Sequence, residues 1–429
     1  MADKVDGGGI GRRSFLGGAA TLGTGAALLG TSNVASAQAG GPAPQVDFPA
    51  DPRAFGGGPA GTNTRAEIDL HDCEVEGSWP TSLDGAFYRV GPDPQYPKAP
   101  QYAGDIPFDG EGHVSMFRIK DGHVDYRTRY AKNQRWKAQH EARRSLFGMY
   151  RNPFTNDPSV EKLSAGTANT QLFVHHGKLL VFKEDSPPVE MDPLTLETVD
   201  DYYTFGGKLE SLTHTAHPKI DPLTGEYFGF GYEAKGLMSK DINVFSADRN
   251  GEINWSVNVE APYAGMMHDF AVTQRHVILY LTNMVADLDR MRAGGVHFSY
   301  DSQAPCYLGI MRRGGDGRDL KWFTGANLFS THVMGAWSDG DKTVQTASVP
   351  DYRLSEMTFV PRRYDADEGD GYLIGLGSSV KESGRSDLML FDAQRLAEGP
   401  VARVKMPFKC VGQVHGFWAD ARDIPGARA

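Results

Sequence analysis

Cysteine is scarce in this chain. Cys73, Cys306 and Cys410 are the only three in 429 residues, and no two stand in a CxxC pair. That spacing argues against a thiolate zinc or iron–sulfur site and leaves open one disulfide in an oxidising compartment. An excess of positive charge is also missing. Lys+Arg total 44 against 54 Asp+Glu, a net charge of −10 with no basic stripe, which argues against a nucleic-acid partner. No apolar run reaches the roughly 20 residues that would make a comfortable membrane span. Helical patterning is nearly absent. One stretch, 132–147 (KNQRWKAQHEARRSLF), reads as a helix. It is too polar on most faces for a core, which predicts an insertion lying over the top of the sheets.

What is abundant is glycine (51) and proline (25), the punctuation of many turns and short strands. From Thr64 onward turn signals recur about every ten residues. Asp121-Gly122 between VSMFRI and HVDYRTRY predicts a β-hairpin. HGKLLVF, EYFGFGY, INVFSA, HVILYLTNM, CYLGIMRR, GYLIGLGS and SDLMLFD are further strand candidates. Many short strands at regular spacing mean an all-β sandwich, barrel or propeller.

The first 60 residues stand apart. Arg12-Arg13-Ser14-Phe15-Leu16 is a twin-arginine pattern, a weakly apolar run follows to Leu29, and Ala35-Ser36-Ala37 supplies a small-residue cleavage site. Residues 1–37 are therefore expected to be a twin-arginine export signal directing the chain to the periplasm, with an uncleaved anchor as the alternative. Residues 38–60, rich in Gly, Pro and Ala, read as a flexible linker. Residues 61–429 are left for one β domain.

Four histidines share a setting of small and apolar neighbours: His217 in THTAHPKID, His268 in GMMHDFAVT, His332 in FSTHVMGAW and His415 in GQVHGFW. They lie 51, 64 and 83 residues apart. Intervals of one to two blades would place one ligand per blade around a propeller axis. Imidazole suits Zn, Cu, Fe or Ni, so zinc hydrolysis is a rival on ligand type alone. Four neutral ligands leave the ion its full charge, and balance then falls to carboxylates that accept the free ring N–H groups. Glu184 in VFKEDSPP and Glu356 in SEMTFVP stand in plausible frames. Lys183 and Glu184, adjacent on an expected strand, should leave opposite faces. Asp109-Gly110-Glu111-Gly112 reads as a tight turn rather than a carboxylate metal site.

GAFYRVGPDPQYP (85–97), FDGEGHVSMFRI (108–119), LFGMYRNP (146–153), GTANTQLFVHHGKLLVFKED (166–185), AHPKIDPLTGE (216–226), MHDFAVT (267–273), EMTFVPR (356–362), DEGDGYLIGL (367–376) and VHGFW (414–418) occur in this order. Together they resemble the carotenoid cleavage oxygenase family, and more narrowly its bacterial stilbene-cleaving branch, the lignostilbene dioxygenases. The resemblance implies a seven-bladed β-propeller with Fe(2+) on its axis, held by His217, His268, His332 and His415, with Glu184 and Glu356 orienting ligands. It implies cleavage of a C=C bond by O2 into two carbonyl products. In the stilbene branch Tyr150 and Lys183 would hold the substrate's 4-hydroxyl and Phe108 would pack on its ring. A nearby ammonium lowers a phenol's pKa, and the phenolate can push electron density into the alkene. The alternatives are an apocarotenoid-cleaving enzyme and a non-catalytic periplasmic propeller that binds aromatic ligands.

One stretch departs from the pattern. Only 23 residues separate His332 from Glu356, where the family carries a much longer segment with a third glutamate in an EFPR-like motif. A blade takes about 40–45 residues, so about one blade or more of sequence is expected to be missing, with His332 left short of an orienting carboxylate. Closure with fewer blades, pairing with another chain as a homodimer, and a truncated product are all open.

Overall fold

The computed structural model describes residues 65–427 other than 103, 222–223, 325–331, 333–348, 350, 368, 383–384, 409 and 411–412. The expected export signal and linker lie outside the described residues. Among the described residues there are five antiparallel sheets of four or more strands. The first runs Ile68–Leu70, His123–Tyr130, Gly112–Lys120, Gly85–Pro92 and His415–Asp420. The second holds Gln171–His175, Lys178–Phe182, Val189–Met191 and Thr198–Asp200, and the third Lys219–Ile220, Tyr227–Tyr232, Asp241–Ala247 and Ile253–Glu260. The fourth holds Phe270–Val272, His276–Leu281, Tyr307–Arg312 and Lys321–Thr324, with a two-stranded ribbon, Met284–Ala286 and Phe298–Tyr300, inserted in it. In the fifth, Val75–Gly77, Pro400–Lys405, Ser386–Asp392, Gly371–Ser379 and Tyr352–Leu354 follow one another.

Every strand candidate read from the sequence is a strand, and the Asp121-Gly122 hairpin forms as expected. Both turn residues take positive φ, 53° and 83°, which matches the twist of the flanking strands.

Core packing gives the order of the sheets. In Gly85–Pro92 alternate side chains leave opposite faces. Phe87 enters a cluster with Ile374, Leu388 and Leu390 of the fifth sheet. Ala86, Tyr88 and Val90 enter another with Leu172 and Val181 of the second. Leu180 and Phe182 then meet Tyr227 and Phe245 of the third sheet, and Phe228 and Phe230 meet Phe270, Val277 and Leu279 of the fourth. Each sheet is thus covered on its faces by its neighbours in the series five, one, two, three, four, the face-to-face stacking of propeller blades. The final strand pairs with Gly85–Pro92 from His415↔Val90 to Asp420↔Gly85, so the two ends of the domain share one blade. Between the fourth and fifth sheets lie residues 325–351, of which His332, Val349 and Asp351 are described.

The helix differs from expectation. It spans Gln134–Ala142, capped by Asn133, whose side chain accepts from the Trp136 N–H. Its buried residues are Arg135 and Gln139. A polar face is buried because carboxylates wait beneath it, with Arg135 Nη1 2.8 Å from Asp109 and Nε 2.8 Å from Glu111. A second, short helix, Leu288–Arg292, gave no signal in the sequence. All three cysteines are buried, and none is joined to another by a disulfide.

His214, three residues before His217, is a core residue. Its ring stacks on Phe182 at 5.1 Å and meets Phe245 edge-on at 5.5 Å. Nδ1–H donates to Thr215 O at 2.6 Å and Nε2 accepts from the Tyr227 hydroxyl at 3.0 Å, so the neutral imidazole is fully satisfied. Burial pulls its pKa down from 6.5 to about 4. The unfolded chain binds this proton more readily, so the associated stability is present above pH 6.5 and is lost as pH falls toward 4. The loss from this group should reach about 3 kcal/mol. Denaturant unfolding at pH 7 and pH 4 should show a smaller loss in His214→Gln than in the parent; equal losses would refute the assignment.

Candidate metal centre

The four histidines arrive from separate places. His217 lies just before Lys219–Ile220, held extended by Pro218 and by its N–H donating to Thr215 Oγ1 at 3.0 Å. His268 lies two residues before Phe270–Val272, and His415 opens His415–Asp420. His332 stands in irregular chain between the fourth and fifth sheets. Their rings nevertheless converge. Ring centroids are 4.5 Å apart for His217 and His268, 4.9 Å for His217 and His332, 5.0 Å for His217 and His415, and 5.0 and 5.4 Å from His332 to His268 and His415. Potential ligand atoms of His217, His268 and His332 lie within 4.8 Å of one another.

The lone pairs point inward. His268 Nδ1 bonds Glu184 Oε1, and His415 Nδ1 bonds Glu356 Oε1 at 3.1 Å. A carboxylate only accepts, so each Nδ1 carries a proton, and a neutral ring then offers Nε2 as its lone pair. His268 Nε2 faces His217 Nε2 at 2.9 Å, and His415 Nε2 is buried with no hydrogen-bond partner. Burial, then the neighbouring His268, His415 and His332, hold His217 well below the usual imidazole range, and burial likewise takes His332 to about 4. Neutral nitrogens converging on one point, one of them orphaned, fit a divalent transition ion.

Both carboxylates are held from behind. Burial alone would raise Glu184, but His268 and Lys183 outweigh it and keep its carboxyl well below the ordinary range. Glu356 also accepts the Gly416 N–H at 2.9 Å. Arg89, 1% exposed, donates to Glu356 O at 3.1 Å and to Gln413 O at 3.0 Å, stapling the chain before His415 to the glutamate that orients it. For His332, Asp269 and Glu356 are the carboxylates whose charge acts on the ring.

Tyr150, Lys183 and Phe108 also meet. The buried Lys183 Nζ lies 5.2 Å from the Tyr150 ring and 5.7 Å from that of Phe108. Burial, then the charges of Asp185 and Glu184, push the Tyr150 phenol well above its usual range, so it remains a donor. The expectation that Lys183 and Glu184 point to opposite faces fails. The strand ends at Phe182, and beyond it the two side chains turn together, with Nζ 3.7 Å from Glu184 Oε2. The phenol-facing lysine and the histidine-orienting glutamate are thus in contact.

Several residues of this region went unread in the sequence. Arg151 donates to Glu184 O at 3.2 Å and to Glu233 Oε2 at 2.5 Å, and Glu233 Oε1 is 3.0 Å from His297 Nε2. Arg151 and Glu233 both take positive φ, 54° and 53°, a conformation kept where surrounding structure enforces it. Asp109 and Glu111 form more than a turn: both are buried and both bind Arg135. A cavity of about 190 Å³ is lined by Met149, Arg151, Asp185, Thr213 and Glu233 among others, and none of the four histidines lines it.

With this geometry the comparisons are direct. Residues 61–353 and 342–420 match the family described as retinal pigment epithelial membrane protein, RPE65. The lignostilbene-α,β-dioxygenase isozyme III of Sphingomonas paucimobilis is 34% identical, covering 84% of this chain and 96% of its own. The chain belongs to the carotenoid oxygenase family. Isoeugenol monooxygenase of Pseudomonas putida is 33% identical over 83% of the chain and 96% of its own length. The crystal structure of Pseudomonas brassicacearum lignostilbene dioxygenase superposes with a TM-score of 0.76 at 31% identity, over 87% of this chain and all of the other. A Synechocystis ACO structure at 20% identity and TM-score 0.69 shares the fold. As a carotenoid oxygenase, the chain is an enzyme of the alkene-cleaving dioxygenase class, and its five described sheets share the propeller fold of a family whose members have seven blades. The family match divides at 342–353, within the shortened stretch. The alignment to the S. paucimobilis enzyme runs over 474 residues, more than the 429 of this chain, so part of the relative has no counterpart here.

Removing Arg151 would leave the buried Glu233 without its guanidinium, held only by His297 and the Met238 N–H. Arg151→Met should destabilise the fold by about 3 kcal/mol in denaturant titration; a loss below about 0.5 kcal/mol would show that the pair contributes little.

Proposed function

We propose that this carotenoid oxygenase binds Fe(2+) through His217, His268, His332 and His415 and cleaves the central C=C bond of a 4-hydroxystilbene with O2. The observation that carries this reading is the contact between Lys183 and Glu184, which joins the phenol-facing cluster to the histidine-orienting carboxylate. Bound there, the iron supplies the activation of O2. The protein's own groups act on the substrate. The Lys183 ammonium favours ionisation of the 4-hydroxyl, and the neutral Tyr150 donates a hydrogen bond to the resulting phenolate. Phe108, half-exposed, stacks on the ring. Conjugation carries electron density from the phenolate to the alkene. The alkene and one O2 balance as two aromatic aldehydes.

The similarity to an isoeugenol monooxygenase supports a second substrate of the same chemistry, a propenylphenol, since both are 4-hydroxyphenyl alkenes. Two further readings predict different results. An apocarotenoid-cleaving enzyme would not need the hydroxyl. A non-catalytic binder would take up phenols without consuming oxygen. We also propose export by the twin-arginine pathway to the periplasm, supported by Arg12-Arg13 and the Ala35-Ser36-Ala37 site. A mature N-terminus at residue 38 in the periplasmic fraction would support it, and an intact leader in the cytoplasm would refute it.

Purified protein should contain iron near one per chain and consume oxygen with 4-hydroxystilbene or isoeugenol but not with 4-methoxystilbene. Equal rates on hydroxy and methoxy substrates would refute the phenol reading, and turnover that survives anaerobiosis would refute the oxygenase reading. Glu184→Gln should weaken iron retention about 10–100-fold in competition with a chelator; unchanged retention would remove Glu184 from its orienting role.

A further inference from the structure

Phe108 and Tyr150 come from segments 42 positions apart and face one ammonium, that of Lys183. Something must set the distance between them. The Tyr150 side is held through its backbone, whose N–H donates to Asp105 Oδ2 at 2.9 Å. The Phe108 side is held by its neighbours. Asn169 Nδ2 donates to Phe108 O at 2.6 Å and to Gly110 O at 2.8 Å, and Arg135 binds Asp109 Oδ1 at 2.8 Å. Lys98 bridges the two sides, its ammonium hydrogen-bonded to both Asp105 and Asp109. The side chains of Asp105 and Asp109 are 4% and 1% exposed and that of Lys98 15%, so the bridge is shielded from competing water.

We propose that Lys98, through Asp105 and Asp109, fixes the separation of Tyr150 from Phe108 and thereby sets the site's preference for a 4-hydroxyphenyl over a 4-methoxyphenyl ring. The inference rests on the proposed function and deepens it, making Lys98 and Asp105 positioning residues. The physical reason is geometric. A buried ammonium held by two carboxylates has one preferred geometry, while two loops tied only at their own bases would breathe. Discrimination between a hydroxyl and a methoxy group needs the donor Tyr150 and the ammonium of Lys183 held at fixed range from the stacked ring, since a donor displaced by an ångström bonds neither.

The test uses the full mature protein and two readouts. Binding of 4-hydroxystilbene and 4-methoxystilbene to metal-free protein is followed by ligand fluorescence, and KM and kcat are measured on the iron-loaded enzyme. Lys98→Met should weaken 4-hydroxystilbene binding about tenfold while changing 4-methoxystilbene binding far less, with KM rising more than kcat falls and iron content unchanged. Asp105→Ala should do the same, and Asp105→Asn, which keeps an acceptor for the Tyr150 N–H, should recover part of the loss. Parental affinity and selectivity in a folded Lys98→Met protein would overturn the proposal. So would equal weakening of both ligands, or loss of iron in step with binding, because a general structural role predicts those. If the parent itself binds neither phenolic ligand, the proposed function fails first; if the parent binds and the variants match it, this inference alone fails.

Discussion

Four imidazoles can share one cation only if all are neutral and each turns a lone pair to the same point. Histidines in water satisfy neither condition, since they protonate near neutral pH and rotate freely. Here burial holds His217 far below that range. Glu184 and Glu356 accept hydrogen bonds from the Nδ1–H groups of His268 and His415 and so choose both tautomer and ring plane. Glu184 is buried and Glu356 is exposed, and each has a cation behind it, Lys183 at 3.7 Å and Arg89 at 3.9 Å. The centre is therefore a layered arrangement of charge in which removing an outer group disturbs every layer inside it.

The stacked sheets make that convergence possible. The third, fourth and first sheets each contribute a strand start, at or just before which His217, His268 and His415 stand. The last of these lies in the strand that pairs with Gly85–Pro92, so the docking of that strand and the placement of His415 are one event. The apolar clusters between successive sheets fix the radial spacing, and interiors packed to crystalline density do not drift.

Lys183 and Glu184 give the site its directional character. One chain step carries the group that faces the phenol cluster and the group that orients His268, and their charged ends touch. A ring held against Phe108 and Tyr150 is thereby placed at a set reach from the four histidines.

Much of this was legible in the chain by itself. Alternation and turn residues determined the strands, because a period of two and a Gly or Asp at positive φ are local requirements. The motif order determined the family and pointed to the four histidines, two glutamates, Tyr150, Lys183 and Phe108. Their roles could not be had from spacing, since thirteen histidines offer many sets of four and only folding shows that His214 is core while His217, three residues on, faces the centre. Tertiary structure alone decided the rest. Arg89, Lys98, Asp105 and Arg151 carry no local signature, because a buried ion pair is defined by a partner distant in sequence. The same holds for the polar face of the helix Gln134–Ala142, whose amphipathic pattern looked too charged for burial until Asp109 and Glu111 were found beneath it. Lys183 and Glu184 depart from strand alternation for a related reason: alternation governs side chains only while the strand lasts, and this one ends at Phe182.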